Sequence, residues 1–281
     1  KNAEKEKKAI GHFNISNLEQ LHAITNVARR VKVPVVIGVS EGEREFIGIH
    51  EAVALIKVFR EEGGIPIFLN ADHTRTLEKI EEAARAGFDS AIIDVAKLPL
   101  NENINITKKA VELVKSINPQ MVIEGELGYI GTAAEVRDSL PEGAAIQEKD
   151  LTTVHDAVKY VTETGIDMLA PAVGNIHGML SNATDPNLNI PRIKAIKDAV
   201  KVPLVLHGAS GNTDEDIRAA IQAGISLIHI STEIRVAWRE GVEESLREKP
   251  NEVAPYKIMK TAIEQMEEVI EAKLKLFNNI K

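Results

Sequence analysis

Apolar segments and helix-like segments alternate along this 281-residue chain, and this alternation most restricts the folds open to it. The apolar segments are rich in β-branched residues, as strands are. The segments between them carry apolar residues at helical spacing and many Lys, Arg and Glu. Eight strands are predicted, at residues 9–15, 34–40, 66–72, 90–96, 121–128, 167–173, 203–210 and 226–232. Three of the helices end at a glycine suited to a left-handed cap, namely Gly87, Gly165 and Gly224.

Eight strand–helix units in a chain of this length predict an α/β fold, a single-domain (β/α)₈ TIM barrel over residues 1–281. The strands read as continuous apolar runs, which is typical of a parallel sheet covered on both faces. A doubly wound open sheet is the alternative. That fold usually has a glycine-rich phosphate loop after its first strand, whereas residues 13–16 here read Phe-Asn-Ile-Ser.

The composition restricts the partners of the chain. Its net charge is −8, which argues against nucleic-acid binding, because a polyanion requires a basic surface. It contains no cysteine, so disulfides and thiolate metal sites are excluded. No apolar run reaches the roughly 18 residues that a bilayer-spanning helix needs. We therefore expect a cytoplasmic enzyme or binding protein with neither a nucleic acid nor a membrane as partner.

Polar residues gather at one end of the predicted strands. In a barrel, catalytic groups lie at the C-terminal ends of the strands. These ends carry Asn14, Ser40, Asp72, His73, Asp94, Glu126 and the segments 175–178, 207–210 and 229–232. The opposite ends have little chemistry in them, so the sequence predicts an active site at the C-terminal face.

Three histidines of this set, His73, His177 and His207, lie at or just beyond the third, sixth and seventh predicted strands. Barrel closure can bring such ends into one mouth, and three imidazoles with one open position make a catalytic zinc arrangement. Asp94 and Glu126 add oxygen ligands nearby. The chain has eight histidines in all, and the other interpretation of any single one is a hydrogen-bonded residue near the barrel top.

The segment His-Gly-Ala-Ser-Gly, residues 207–211, precedes Thr213 and a predicted helix start. Backbone N–H groups at such a point suit a phosphate, and the loops after strands 7 and 8 of barrels often build a phosphate site. The other interpretation is a plain glycine-rich turn.

The motifs "ADH", "ELG", "VGNIHG" and "LHGASG" occur in this order along the chain. In order and spacing they resemble the class II, zinc-dependent ketose-bisphosphate aldolases, and the resemblance covers nearly the whole chain. It implies a (β/α)₈ barrel with a catalytic zinc on His73, His177 and His207. It also implies a second or alternative metal position at Asp94 and Glu126, and a monovalent cation, Na⁺ or K⁺, beside the substrate.

The resemblance implies further roles. Asp72 becomes the acid/base on the substrate hydroxyl, and Ser40 faces one of the two phosphates. Asn14 is a further candidate substrate contact. The dihydroxyacetone-phosphate pocket would be formed by Gly178, Gly208, Ala209, Ser210, His229, Ser231 and Thr232. We also expect a homo-oligomer, a dimer or a tetramer.

The chain departs from the family pattern at three places. The loop after "ELG" reads Gly-Tyr-Ile-Gly-Thr-Ala-Ala-Glu, so Glu135 becomes the candidate for proton transfer at carbon. We expect residues 129–139, with Thr132, Ala133 and Ala134, to close over substrate. His229 replaces a usual Asn, and Ala96-Lys97 replaces a usual Ser-His pair.

The expected function is reversible cleavage of a ketose 1,6-bisphosphate, fructose 1,6-bisphosphate first, to dihydroxyacetone phosphate and glyceraldehyde 3-phosphate. The alternatives are a tagatose-bisphosphate aldolase, a metal-dependent sugar-phosphate epimerase or isomerase, and a phospho-sugar-binding barrel without activity. A Schiff-base aldolase would need a lysine at a strand end. Lys97 is the candidate, and we favour its interpretation as a surface lysine.

Overall fold

The computed structural model describes residues 2–131, 135–140, 142–144, 146–181 and 185–280, and in it eight parallel strands close into a barrel. The barrel strands are β1 (Ile10–Asn14), β2 (Val35–Val39), β3 (Ile67–Thr74), β4 (Ser90–Ile93), β5 (Val122–Leu127), β7 (Met168–Pro171), β9 (Leu204–Leu206) and β10 (Ile225–Ile230). They neighbour one another in chain order, and β1 pairs with β10 to close the ring. The predicted TIM barrel is confirmed. Two short strands outside it, β6 (Val136–Arg137) and β8 (Met179–Leu180), pair with each other.

Helices connect the strands, as the alternation predicted. They are α1 (Asn2–Lys5), α2 (Leu18–Val31), α3 (Glu41–Ile47), α4 (Ile49–Glu61), α5 (Leu77–Ala86), α6 (Leu100–Ile117), α7 (Val154–Thr164), α8 (Ile190–Ala199), α9 (Asp214–Ala223), α10 (Thr232–Glu248) and α11 (Pro255–Asn278). Within the described ranges, none of them is both long and apolar enough to cross a membrane.

Local capping fixes where several helices begin and end. Asn17, Thr76 and Thr153 each accept a hydrogen bond from the backbone N–H three residues on, a contact that stabilises a helix by about 1 kcal/mol. Gly87 and Gly165 adopt the predicted left-handed conformation at helix ends. Gly224 also has a positive φ, 125°, but lies outside the left-handed region, so that part of the prediction was wrong.

The barrel interior is partly apolar and partly polar. Val36, Ala170, Val205 and Leu227 form a small buried cluster separate from the main core, which packs between strands and helices. Polar side chains are also buried on the inner face, among them His12, Asn70 and Glu124. The strands are therefore apolar chiefly on the face toward the helices, and the inner face can carry chemistry.

Candidate active site

A cavity of about 370 Å³ opens at the C-terminal ends of the barrel strands. This volume suits a small ligand, and the position is the one at which barrel enzymes carry their catalytic groups. The predicted site residues that line it are Asn14, Ser40, Asp72, His73, Glu135, His177, Gly178, His207, Gly208, Ser210, His229, Ser231 and Thr232. Three other predicted residues, Asp94, Glu126 and Ala209, do not line the cavity; Glu126 and Ala209 are buried.

The imidazoles of His73, His177 and His207 meet at this cavity. One nitrogen from each lies within 4.8 Å of the others. Nε2 of His73 and Nδ1 of His207 are 3.3 Å apart. Two nitrogens bound to one tetrahedral zinc, each at about 2.0–2.1 Å, are separated by roughly 3.3 Å. This nitrogen donor set therefore fits a single divalent metal.

His73 reaches the cavity because β3 is irregular near its end. The register of β3 against β4 shifts between Ala71 and Thr74. Within this irregularity His73 has a φ of 39°, a conformation that few non-glycine residues adopt. Successive residues of a regular strand point to opposite faces, so the irregularity brings both Asp72 and His73 to the cavity. The strand was predicted to end at residue 72, and it continues to Thr74.

Two of the three imidazoles have an oxygen partner on Nδ1. Nδ1 of His73 lies 2.9 Å from Oδ2 of Asp94, and Nδ1 of His177 lies 2.7 Å from the carbonyl oxygen of Gly131. A ring N–H that donates to an oxygen leaves the other ring nitrogen with its lone pair available for a metal. Asp94 therefore orients His73, in addition to its predicted place in a second metal position.

The third imidazole has a partner that sequence reasoning missed. Nε2 of His207 lies 2.6 Å from Oε1 of Glu124, and both side chains are fully buried. Glu124 is two residues before the predicted ligand Glu126 on the same strand. Alternate residues of a strand share a face, so this spacing was the signal that could have revealed Glu124.

Burial and nearby charges separate the pKa values of these imidazoles. Desolvation lowers the pKa of His177 and of His207, each to about 3. Desolvation acts in the same direction on His73, but Asp72 and Asp94 outweigh it and raise the His73 pKa to about 10. A metal ligand must be a neutral imidazole. His177 and His207 are already neutral at pH 7, and His73 would release a proton on binding a metal.

Glu126 holds a buried oxygen, Oε2, that has no hydrogen-bond partner within the described part of the chain. This atom lies 3.5 Å from Nδ1 of His73 and 3.9 Å from Nδ1 of His207. Desolvation and the charge of Asp94 raise the pKa of Glu126 well above its usual range. His73, Asp94 and Glu126 offer ligand atoms within 4.8 Å of one another. This group could also hold a metal, and it shares His73 with the three-histidine group.

Asp72 lies among hydrogen-bond donors. Its Oδ2 accepts a hydrogen bond from Nδ2 of Asn14 at 2.8 Å, and its Oδ1 lies 3.6 Å from Nδ1 of His229. Burial by itself would raise the pKa of Asp72, but the imidazoles of His73 and His12 and the Asn14 amide outweigh it. The pKa is held well below its usual range. Asp72 is therefore an ionised carboxylate at neutral pH and can accept a proton.

The sequence did not connect His12 with His229, yet their rings stack inside the barrel. The ring centroids are 3.5 Å apart and the planes differ by 5°. The two residues are register partners on β1 and β10. Gly38 leaves room for the His12 ring, because a Cβ at that position would lie 2.1 Å from its Cε1. Desolvation lowers the pKa of both rings, so they form an uncharged wall beside Asp72.

One side of the cavity is suited to an anion. Ser231 occupies the N-cap position of the 17-residue helix α10, and its Oγ is buried without a hydrogen-bond partner among the described residues. Gly208 has a φ of 57°, and a Cβ there would lie 2.0 Å from the carbonyl oxygen of Ile176. Only glycine allows these loops to pack so closely. A helix N-terminus beside hydroxyl groups favours phosphate binding.

Two guanidinium groups that sequence reasoning missed also line the cavity. Nη1 of Arg75 lies 4.0 Å from Oε2 of Glu41, and Nη2 of Arg235 lies 2.6 Å from Oε1 of Glu43. Arg235 follows Thr232 by three residues in α10. Residues three apart share a helix face, so its position after the predicted segment 229–232 was a usable signal.

A third arginine, also missed, holds two strand ends together. Arg44 is 5% exposed, and its Nη1 donates to the carbonyl oxygens of Val39, at 2.6 Å, and Asp72, at 3.1 Å. Its Nη2 donates to Oγ1 of Thr74 at 3.1 Å. These contacts join the end of β2 to the irregular end of β3, and so help to fix the backbone of Asp72.

Glu135 lines the cavity from the loop after β5. Its side chain is 58% exposed, and Oε1 lies 3.1 Å from Nη2 of Arg137. Its carbonyl oxygen accepts a hydrogen bond from the Met179 N–H, beside the paired strands β6 and β8. Thr132, Ala133 and Ala134 lie outside the described residues.

Lys97 does not line the cavity. It is exposed, and its Nζ lies 4.7 Å from the ring centroid of Tyr129. This position agrees with the interpretation of Lys97 as a surface lysine.

The whole chain matches a known family and curated relatives. The model of the family described as fructose-bisphosphate aldolase class-II matches residues 1–281. A probable fructose-bisphosphate aldolase of Bacillus subtilis (strain 168) is 35% identical over 274 residues, which are 96% of this chain and 92% of that protein. The 6-phospho-5-dehydro-2-deoxy-D-gluconate aldolase of Shouchella clausii (strain KSM-K16) is 32% identical over 278 residues, covering 98% and 91%.

Among solved structures, the YdjI aldolase of Escherichia coli K12 is similar with a TM-score of 0.82 and 30% identity, over 98% of this chain and 94% of that one. A putative fructose-1,6-bisphosphate aldolase of Coccidioides immitis is similar with a TM-score of 0.83 and 25% identity, over 99% and 94%.

Proposed function

Because the chain belongs to the class-II fructose-bisphosphate aldolase family, and is thus an aldolase, we propose that its substrate is a ketose 1,6-bisphosphate. Fructose 1,6-bisphosphate is the first choice, with dihydroxyacetone phosphate and glyceraldehyde 3-phosphate as products. The observation that carries the proposal is that three imidazoles and the ionised Asp72 share one cavity.

The metal ligands of this proposal are His73, His177 and His207, and the metal is zinc. A divalent metal held there would supply a Lewis acid that stabilises the negative charge developing on the ketose oxygen when the C3–C4 bond breaks. Oxygen partners orient each of the three imidazoles, and such partners raise metal affinity. Asp94 and Glu126 are proposed to serve a second or alternative metal position, and a monovalent cation, Na⁺ or K⁺, to bind beside the substrate phosphate.

The proposed proton acceptor is Asp72. Cleavage of a ketose requires a base to remove the proton of the C4 hydroxyl, and in the reverse direction the same group returns that proton to the aldehyde oxygen. Asp72 is ionised and lines the cavity beside His73. We assign the carbon proton to Glu135, which lines the cavity and has an exposed side chain that can move.

The two phosphates are proposed to bind to two different sets of residues lining the cavity. For the dihydroxyacetone phosphate half we assign Gly178, Gly208, Ala209, Ser210, His229, Ser231 and Thr232, with Asn14 as a further contact. For the distal phosphate we assign Ser40 and Arg235, because a guanidinium binds phosphate with directed hydrogen bonds.

A second candidate substrate class is a ketose 1-phosphate whose distal end carries no phosphate. The observation that favours it is that both cavity-lining guanidinium groups already face carboxylates, Arg75 with Glu41 and Arg235 with Glu43. Such pairing reduces the positive charge left for a second phosphate.

An NADH-coupled cleavage assay tests the proposal. Fructose 1,6-bisphosphate, tagatose 1,6-bisphosphate and fructose 1-phosphate are compared at equal concentration, with and without a chelator. We expect chelator-sensitive cleavage of the fructose bisphosphate at the highest kcat/KM. Conversion of a sugar phosphate without C–C cleavage would indicate an epimerase or isomerase, and binding without turnover would indicate a phospho-sugar-binding barrel.

Assembly and location remain predictions. We propose a homo-oligomer in the cytoplasm, and light scattering after size-exclusion chromatography measures the first of these directly.

A further inference from the structure

Glu43 is a buried carboxylate for which the reaction as proposed has no role. It lies on α3 and is 6% exposed. Its Oε2 accepts hydrogen bonds from the Ser40 N–H at 2.7 Å and from Nδ2 of Asn14 at 2.9 Å. Its Oε1 accepts from Nη2 of Arg235 at 2.6 Å. Burying a charge is costly unless it is paired and hydrogen-bonded, and these contacts satisfy both oxygens.

The amide of Asn14 joins Glu43 to Asp72. One NH₂ group donates to Oε2 of Glu43 at 2.9 Å and to Oδ2 of Asp72 at 2.8 Å. An amide has donors at one end and an acceptor at the other. If the Asn14 amide turned over, its oxygen would face two carboxylates. Glu43 therefore adds to the preference for the orientation in which the NH₂ group of Asn14 faces Asp72.

Arg235 receives its orientation from the same carboxylate. Its guanidinium lines the cavity at one side of Glu43, and Asn14 lies at the other. The chain of contacts thus runs from a cation at the cavity wall, through Glu43 and Asn14, to Asp72. The contacts in this chain are all 2.9 Å or shorter.

We propose that Glu43 is a positioning residue for the aldol reaction. Through Asn14 it holds the carboxylate of Asp72 in the orientation that accepts the hydroxyl proton, and directly it holds Arg235 at the cavity wall. This inference rests on the proposed function, since it takes Asp72 as the proton acceptor and Arg235 as a contact of the distal phosphate.

The alternative is a purely structural role, in which Glu43 only caps α3. Glu43 is the third residue after Ser40, the N-cap residue of α3. Its side chain accepts a hydrogen bond from the Ser40 backbone N–H, which is one of the two hydrogen bonds of a capping box. Glutamine serves a capping box as well as glutamate does. A single glutamine oxygen could still accept from both Ser40 and Asn14, whereas its NH₂ group could not accept from Arg235. Glutamine and alanine at position 43 therefore separate the Arg235 contact from the contacts to Ser40 and Asn14.

The test compares Glu43→Gln and Glu43→Ala with wild type, each loaded with metal and checked to be folded at the assay temperature. In Glu43→Ala we expect kcat to fall about 10-fold, because small misplacement of a reacting group costs rates of this order or more. In Glu43→Gln we expect kcat to be largely retained. In both variants KM for fructose 1,6-bisphosphate should rise several-fold, and KM for fructose 1-phosphate should change less. Glu45→Ala, an exposed change on the same helix, is the matched control.

A Glu43→Ala enzyme whose kcat stays within about twofold of wild type would overturn the proposal. So would a Glu43→Gln enzyme as impaired in kcat as the alanine variant, because Asn14 would then not be the route. An unchanged KM for the bisphosphate in both variants would overturn the part of the proposal in which Glu43 positions Arg235.

A second measurement does not depend on activity. The urea-unfolding free energies of Glu43→Ala, Asn14→Ala and the double variant form a cycle, and coupled residues lose less together than the sum of their separate losses. Additive losses of unfolding free energy would mean that Glu43 and Asn14 are not coupled, and would overturn the proposal. An inactive wild type with a coupled cycle would refute the proposed function and leave the network standing.

Discussion

Oε1 of Glu124 lies 2.6 Å from Nε2 of His207, and neither side chain has appreciable contact with solvent. The two groups share one hydrogen bond in which a carboxyl group fixes the orientation of an imidazole. Desolvation raises the pKa of Glu124 well above its usual range and lowers that of His207. His207 is therefore a neutral imidazole whose Nδ1 faces His73, and a neutral imidazole is the form that binds a metal.

Removal of this partner should weaken metal binding. For Glu124→Ala we expect zinc affinity to fall about 10- to 100-fold, the usual effect of losing the carboxylate behind a ligating histidine. Competition with a series of chelators, read by metal analysis, measures the affinity. Glu112→Ala, an exposed change on α6, is the control. Equal affinity in both variants would mean that Glu124 does not support a ligand.

The three-histidine site predicts a metal stoichiometry. Wild-type protein purified without chelator should hold about one equivalent of zinc, and His177→Ala should hold less than about a tenth. The exposed His155→Ala is the matched control. Full occupancy in His177→Ala would instead assign the metal to His73, Asp94 and Glu126, whose ligand atoms also converge.

Asp72→Ala should keep the fold and the metal and lose most turnover. The carboxylate lines the cavity but is not one of the three imidazole ligands, and a general acid–base group contributes roughly 10²- to 10⁴-fold. Steady-state kcat, normalised to bound zinc, is the measurement. Retention of more than about half of the wild-type kcat would exclude Asp72 from proton transfer.

Glu135→Gln should slow exchange of the carbon-bound proton of dihydroxyacetone phosphate. The side chain is 58% exposed and lines the cavity, so it can approach substrate in the closure predicted from the sequence for residues 129–139. Binding of a metal-chelating enediolate mimic should change little, because the three imidazoles are untouched. Proton NMR in deuterated solvent follows the exchange, and an unchanged rate would leave Glu135 as a surface acid paired with Arg137.

The raised pKa of the Asp185 carboxyl group leads us to expect that stability depends on pH. Its Oδ1 accepts the Leu180 N–H, Oδ2 is buried without a partner among the described residues, and desolvation raises its pKa from 3.8 to about 6. Between these values the folded protein binds more protons than the unfolded chain. The contribution of protonated Asp185 to the free energy of unfolding is thus complete below pH 3.8, and it is lost as pH rises through about 6.

Asp185→Asn should therefore raise the free energy of unfolding at pH 7–8 by about 1–3 kcal/mol and leave it nearly unchanged near pH 4. Urea unfolding at a series of pH values measures both effects, with the exposed Asp150→Asn as the control. A gain of the same size at every pH would assign the effect to something other than this titration.

The barrel and the choice of most cavity residues followed from the sequence because their signals are local. A run such as Pro-Val-Val-Ile-Gly-Val needs only its own spacing to be read as a strand, and eight strand–helix units without a glycine-rich loop after the first strand then favour a barrel over an open sheet. In a barrel the C-terminal strand ends meet at one face. His73, His177 and His207 were therefore predicted to converge at that face.

The contacts that make these residues a site depend on closure of the barrel. Glu124 and His207 are 83 residues apart, and Glu43 and Arg235 are 192 apart. No local pattern relates such positions, since each pair meets only when the register between strands and the placement of helices are set. The stack of His12 on His229 requires β1 to pair with β10, and the entry of His73 requires a register shift between β3 and β4. Side-chain type and strand period depend only on the local sequence. The orientation, burial and charge state of the site side chains arise from packing between elements that are distant in sequence.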